Sequence, residues 1–237
     1  MSGHSKWATT RRAKAVVDAK RAANFTKVAH IITLAAREKG GDPDKNFSLR
    51  LAVEKARAVN MPKENIERAI KRGTGDLEGE VLEEITYEGF GPGGVAFIIQ
   101  TLTNNRNRSV SEIKHLLSKN GGNLGSANSV LWMFERRGVL GISSAACTDD
   151  LELTLIEQGV QDIMRDDDSA TIVTVPEDFQ KIKEFLDEKK IDIAFAEIEL
   201  APKEHATVDD TTREKIEHLV DALEAHDDVT AVSTNLS

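Results

Sequence analysis

The segment from position 87 to 108, YEGFGPGGVAFIIQTLTNNRNR, constrains this chain more than any other. Gly91-Pro92-Gly93-Gly94 predicts a turn, because glycine reaches positive φ at no steric cost and proline pre-sets its own φ. Residues 95–102 follow as an almost wholly apolar run with a β-branched core of Val95, Ile98, Ile99 and Thr101, as a buried strand requires. A second strand at 83–88 lies on the other side of the turn. The run ends in Asn104-Asn105-Arg106-Asn107-Arg108, two cations among hydrogen-bonding amides, just before the next helical pattern. Such a strand is a central one, with a polar contact loop at its end.

Upstream the chain reads as helical. After Trp7 comes a helical stretch rich in Arg11, Arg12, Lys14, Lys20 and Arg21. Phe25, Val28, Ile32 and Ala35 then line one face of a second helix, which Gly40-Gly41-Asp42-Pro43 interrupts. Leu49, Ala52, Val53, Ala56 and Val59 repeat with the spacing of a core stripe in a third helix. A fourth is expected to begin at Pro62 and to stop at Gly73, with Lys71 and Arg72 in its last turn. These helices predict a bundle.

Downstream, Ser109-Val110-Ser111-Glu112 has the form of a capping box and predicts a helix start, and residues 129–134 predict a strand. From Gly138 the order strand, helix, strand, strand, helix, strand completes a ferredoxin-like unit. The piece 80–135 lacks a second helix for its own sheet. The helical pattern of 211–226 and the apolar residues 229–232 supply what is missing. The expected architecture is therefore α+β: a basic helical bundle domain, 1–79, followed by two ferredoxin-like domains. One of these, 136–206, is inserted into the other, made of 80–135 and 207–237.

Net charge, −9, hides an asymmetry. Residues 1–75 carry 17 Lys and Arg against 7 Asp and Glu, whereas the rest carries 14 against 33. This predicts a polyanion-facing module joined to an acidic body. No run of 18 apolar residues is present, the N-terminal residues lack the apolar stretch of a secretory signal, and Cys147 is alone. A cytoplasmic protein with no membrane contact is expected.

Catalytic patterns are sparse. The histidines at 4, 30, 115, 205, 218 and 226 have no metal-ligand spacing, and Asp166-Asp167-Asp168 reads as a solvated turn. The glycine loop lacks the lysine and following helix of a phosphate loop. No catalytic residue, metal or cofactor is expected. Binding is better supported: in residues 1–27 seven cations face one acid, Asp18, and cations gain affinity by releasing counterions from phosphates. The candidate nucleic-acid contacts are His4, Ser5, Lys6, Trp7, Arg11, Arg12, Lys14, Lys20, Arg21, Lys27, Arg106, Asn107 and Arg108. Trp7 would stack on a base or anchor the arm, and Arg108 would grip phosphate or pair with Glu112.

The segments SGHSKW, DAKR with FTK, NMPKENIERAIKRG, YEGFGPGG, NRNR and GNLG followed by W-x-F resemble the YebC/PmpR family over essentially the whole length. That family comprises bacterial proteins described as probable transcriptional regulators, with a mitochondrial relative that activates translation of a cytochrome c oxidase subunit. The resemblance implies three domains, the last inserted in the middle one. It also shows Asn128 where a glycine is usual. Two roles follow from it: DNA binding at promoters, or ribosome and RNA binding that eases translation through proline-containing stretches. The absence of an evident helix-turn-helix and the spread of charge over several helices favour RNA. The partner expected is nucleic acid, ribosomal RNA or DNA, bound by a non-enzymatic monomer. A protein adaptor docking through its acidic body is the reading from another class.

Overall fold

The computed structural model describes residues 21–78 and 81–237, with side chains from residue 25 onward. In chain order the elements begin with three helices, α1 (Arg21–Lys39), α2 (Phe47–Ala58) and α3 (Lys63–Thr74). Next come β1 (Glu83–Phe90), β2 (Ala96–Thr103), α4 (Arg106–Lys119) and β3 (Asn123–Leu124). β4 (Phe134–Ser143), α5 (Asp149–Glu157), β5 (Asp162–Arg165), β6 (Ser169–Thr174), α6 (Phe179–Glu188) and β7 (Ile193–Pro202) follow. The chain closes with α7 (Asp210–Glu224) and β8 (Val229–Thr234). It separates into two compact units: Met1–Met133 with Pro202–Ser237, and Phe134–Ala201.

The helices of the first unit bury Val28, Ile32 and Ala36 of α1 against Leu49, Ala52, Val53 and Ala56 of α2 and Ile66 and Ala69 of α3. Asn46 fixes the α1–α2 corner. Fully buried, it caps α2 by accepting the Leu49 N–H, while its amide donates to the carbonyls of Ala35 and Gly40. At α3 the expected boundaries move by a residue or two. Pro62 precedes the helix, whose first residue is Lys63, and the stop is Gly75 in the left-handed region (φ 84°), not Gly73. Gly73 serves packing: a Cβ there would lie 2.4 Å from the Thr33 carbonyl oxygen and 2.6 Å from the Ala36 Cβ of α1.

In the same unit the sheet has strand order β3-β1-β2-β8 and its described pairs are antiparallel. β1 and β2 pair from Glu83↔Thr103 to Phe90↔Ala96 around the Pro92–Gly94 turn, where Gly93 and Gly94 both take positive φ. One face of the sheet, with Tyr87, Phe97 and Ile99, packs on Ile113 and Leu117 of α4 and on Ile216, Leu219 and Leu223 of α7. The late elements α7 and β8 thus complete a sheet begun at Glu83. The four strands and two helices occur in the order β-β-α-β-α-β, so the chain path differs from the ferredoxin-like one even though the composition agrees. The expected strand at 129–134 is instead a short 3₁₀ turn, Leu131–Met133, leading into β4, and the edge strand beside β1 is the two-residue β3.

The second unit has sheet order β5-β6-β4-β7 with α5 and α6 in the crossovers, the ferredoxin-like arrangement. All six residues of central β6 are buried, as are Leu155 of α5 and Phe179, Ile182 and Leu186 of α6. Gly141 of β4 leaves room for the Phe195 ring, which a Cβ would approach to 1.9 Å.

Candidate nucleic-acid interface

Of the expected contacts, His4, Ser5, Lys6, Trp7, Arg11, Arg12, Lys14 and Lys20 lie outside the described residues, as does the side chain of Arg21. Lys27, Arg106, Asn107 and Arg108 are described, and they do not act alike.

The NRNR motif is not a loop. Asn105 is the N-cap of α4, its side chain accepting the Arg108 N–H at 3.1 Å, so the helix begins one turn before the expected capping box. Arg106, Asn107 and Arg108 therefore make up its first turn, and all three are exposed. Arg106 lies within electrostatic reach of Tyr87: burial pushes that phenol's pKa up, and the Arg106 charge opposes the rise.

Arg108, although half-exposed, is engaged in an internal ion pair. Its Nη2 donates to both carboxylate oxygens of Asp228, at 3.0 and 2.9 Å, while Glu112 lies 3.9 Å from its Nε. Asp228 is almost fully buried and also accepts from Ser109 Oγ at 2.6 Å and Thr103 Oγ1 at 3.0 Å. Burial alone would raise the Asp228 pKa. The hydrogen bonds from Ser109, Arg108 and Thr103 outweigh it and hold the carboxyl below its ordinary range. A register shift between Gln100 and Thr101, opposite β8, sets where Asp228 falls. Ser109, expected to cap the helix, is instead a buried strut between the end of β2 and the start of β8.

His226 accepts the Asp228 backbone N–H on Nδ1 at 3.1 Å, which leaves Nε2 to carry the hydrogen of the neutral ring, 2.8 Å from Glu112 Oε2. Glu112, His226 and Asp228 each bring a ligand atom within 4.8 Å of the others. Asp228 is already neutralised by Arg108, and His226 is already bonded through both nitrogens. The group is an internal network around a cation that the chain itself supplies. An open depression of about 780 Å³ beside it is lined by Arg108, His115 and His226 but also by Glu112, Asp227 and Asp228, a mixed field unsuited to a polyanion.

Lys27 is likewise engaged, its ammonium donating to the Glu224 carbonyl at the C-terminus of α7, where the helix dipole favours a cation. Exposed cations that the sequence did not mark as nucleic-acid contacts lie on α2 (Lys55, Arg57) and α3 (Lys63, Arg68, Lys71, Arg72), with Lys63 3.6 Å from Glu67. Their common helical spacing carried no distinguishing signal.

A second feature joins two motifs. Glu88 of β1 is buried, and its carboxylate accepts the backbone N–H groups of Asn128 (2.6 Å), Val130 (2.7 Å) and Leu131 (2.8 Å). Burial would raise its pKa, yet these backbone donors hold it low. Asn128 sits at φ 63°, a conformation that asparagine tolerates better than most side chains, which explains how it stands where glycine is usual.

A helical part joined to two four-stranded α+β sheets, with an arginine-bearing strand–helix junction, defines a multi-part α+β class. Residues 5–76 match the family model described as the TACO1/YebC protein N-terminal domain, and residues 82–236 match that of the TACO1/YebC second and third domain. The chain belongs to the TACO1/YebC family. It is 49% identical to a probable transcriptional regulatory protein of Halothermothrix orenii, over 99% of this chain and 94% of that one. A protein of the same description from Desulfosudis oleivorans is 48% identical, over 100% and 97% of the two chains. The crystal structure of a conserved hypothetical protein from Aquifex aeolicus superposes with a TM-score of 0.85 at 42% identity, covering 94% of this chain and 93% of that one. Among the described residues no helix is long and apolar enough to cross a membrane.

Proposed function

We propose that this protein is a non-enzymatic, nucleic-acid-binding regulator of gene expression, acting as a cytoplasmic ribosome- or RNA-binding translation factor that eases proline-containing stretches. The observation that carries the reading is the charge asymmetry: 17 cations against 7 acids in residues 1–75, beside an acidic remainder that repels phosphate. In this reading residues 1–79 form the polyanion-binding domain, 136–206 the inserted one, and 80–135 with 207–237 the domain that holds it. Cations distributed over several helices suit the backbone of a folded RNA, which is recognised by shape. Among the described residues of the α4 junction, Arg106 and Asn107 face solvent and make no ion pair that binding would break, whereas Arg108 does.

The name that the relatives carry, probable transcriptional regulatory protein, favours a second reading, sequence-selective DNA binding. Co-sedimentation with ribosomes at rising salt, beside duplex DNA binding under the same conditions, separates the two. Ribosome association that survives near-physiological salt, with weak DNA binding, is the expected result. Tight, sequence-selective DNA binding without ribosome association would replace it.

A further inference from the structure

The geometry points to Trp132 as a stacking platform for an unpaired nucleobase, mounted on a loop whose shape Glu88 fixes. The inference rests on the nucleic-acid-binding reading and adds a site that is not one of its cations. Trp132 is 68% exposed and is the one aromatic residue among the exposed large apolar side chains of the described residues. An indole left in water forgoes the burial that usually stabilises this residue, unless a partner covers it.

The ring is also held in place. Its Nε1–H donates to the Ser129 carbonyl at 3.1 Å, and the Met133 N–H closes the turn on Val130 at 2.9 Å. Beneath, the Glu88 carboxylate gathers the N–H groups of Asn128, Val130 and Leu131. With its single donor spent inside the loop, the indole has only its flat π faces to offer. Lys203 donates its ammonium to the Trp132 backbone carbonyl at 2.9 Å, so the residue that carries the ring also holds a cation on its main chain. A flat surface and a cation held by one residue match a base and its phosphate. Neighbouring Leu131 is 37% exposed, and the residues before it, Ser126, Ala127 and Asn128, are small or polar. That apolar area falls far short of the roughly 800 Å² per partner of a stable protein interface.

The chain holds two tryptophans, Trp7 and Trp132, so Trp7→Phe leaves Trp132 as the sole reporter. Titrating this variant with poly(uridylic acid) is expected to quench its emission in step with binding. Trp132→Ala should weaken poly(uridylic acid) binding by about 5- to 150-fold, the range for one stacked base, with the salt slope unchanged. Trp132→Tyr should recover most of the loss, and Glu88→Gln should reproduce part of it without touching the ring. Binding with unaltered Trp132 emission, or undiminished affinity of Trp132→Ala, would overturn the platform and leave the nucleic-acid reading standing. Quenching by ribosomal protein stripped of RNA, and not by RNA, would make the face a protein contact. Failure of the wild-type chain to bind any nucleic acid would remove both readings.

Discussion

Alanine is better than glycine inside a free helix by about 1 kcal/mol, so Gly73→Ala would stabilise α3 were the helix alone. Against α1 the sign reverses. The new Cβ would meet backbone at 2.4 Å, and overpacking of this kind costs about 1–3 kcal/mol. We expect Gly73→Ala to lower the urea midpoint; a raised midpoint would show that α1 and α3 separate easily. The two arginines of α4 make a similar contrast. Arg106→Ala removes an exposed side chain and should change stability by less than about 0.5 kcal/mol. Arg108→Ala leaves buried Asp228 without its cation and should cost about 1–2 kcal/mol, since hydrogen bonds to charged groups are strong but this guanidinium is 45% exposed and screened. Thermal unfolding of the two variants checks the difference. Polyanion affinity should fall more per unit of lost stability in Arg106→Ala.

Two elements are held by carboxylates whose pKa values lie below their ordinary range, and both make stability depend on pH in the same direction. Glu88 and Asp228 bind protons less readily when folded than when unfolded, so their contribution is complete above the unfolded-state values, about 4.3 and 3.9. It is lost as pH falls through the lower folded values. Urea midpoints measured from neutral pH downward should stay level on this account until about pH 5 and then decline, and Glu88→Gln or Asp228→Asn should each flatten the decline. Neither carboxylate was legible in the sequence as a support. Asp227-Asp228 looks like a turn, and Glu88 looks like one more polar residue in an alternating strand. The apolar run 95–102 and the need for a late helix and strand were legible, because burial repeats with the period of the element. The start of α4 was not. Asn105 and Ser109 are both good caps, and what decides between them is Asp228, 119 residues from Ser109, which draws that hydroxyl into the core. β3, at two residues, is too short to leave a pattern at all.

At the scale of the whole molecule, a net charge of −9 would predict repulsion from any nucleic acid, and the proposed function requires that the distribution outweigh the sum. A Debye length of about 8 Å at physiological ionic strength makes this possible, because distant acids are screened while cations in contact with phosphate are not. The same physics supplies the test. Each phosphate neutralised contributes about 0.7 to the slope of log affinity against log salt on a single strand. If Lys6, Arg11, Arg12 and Lys14 all make such contacts, replacing the four by alanine should lower the slope by about 3, with the fold intact by circular dichroism. A smaller drop would count how many of them touch the polyanion. An unchanged slope would move the interface from the N-terminal residues to the exposed cations of α2 and α3, where Lys55, Arg57, Arg68 and Lys71 would be the next set to replace.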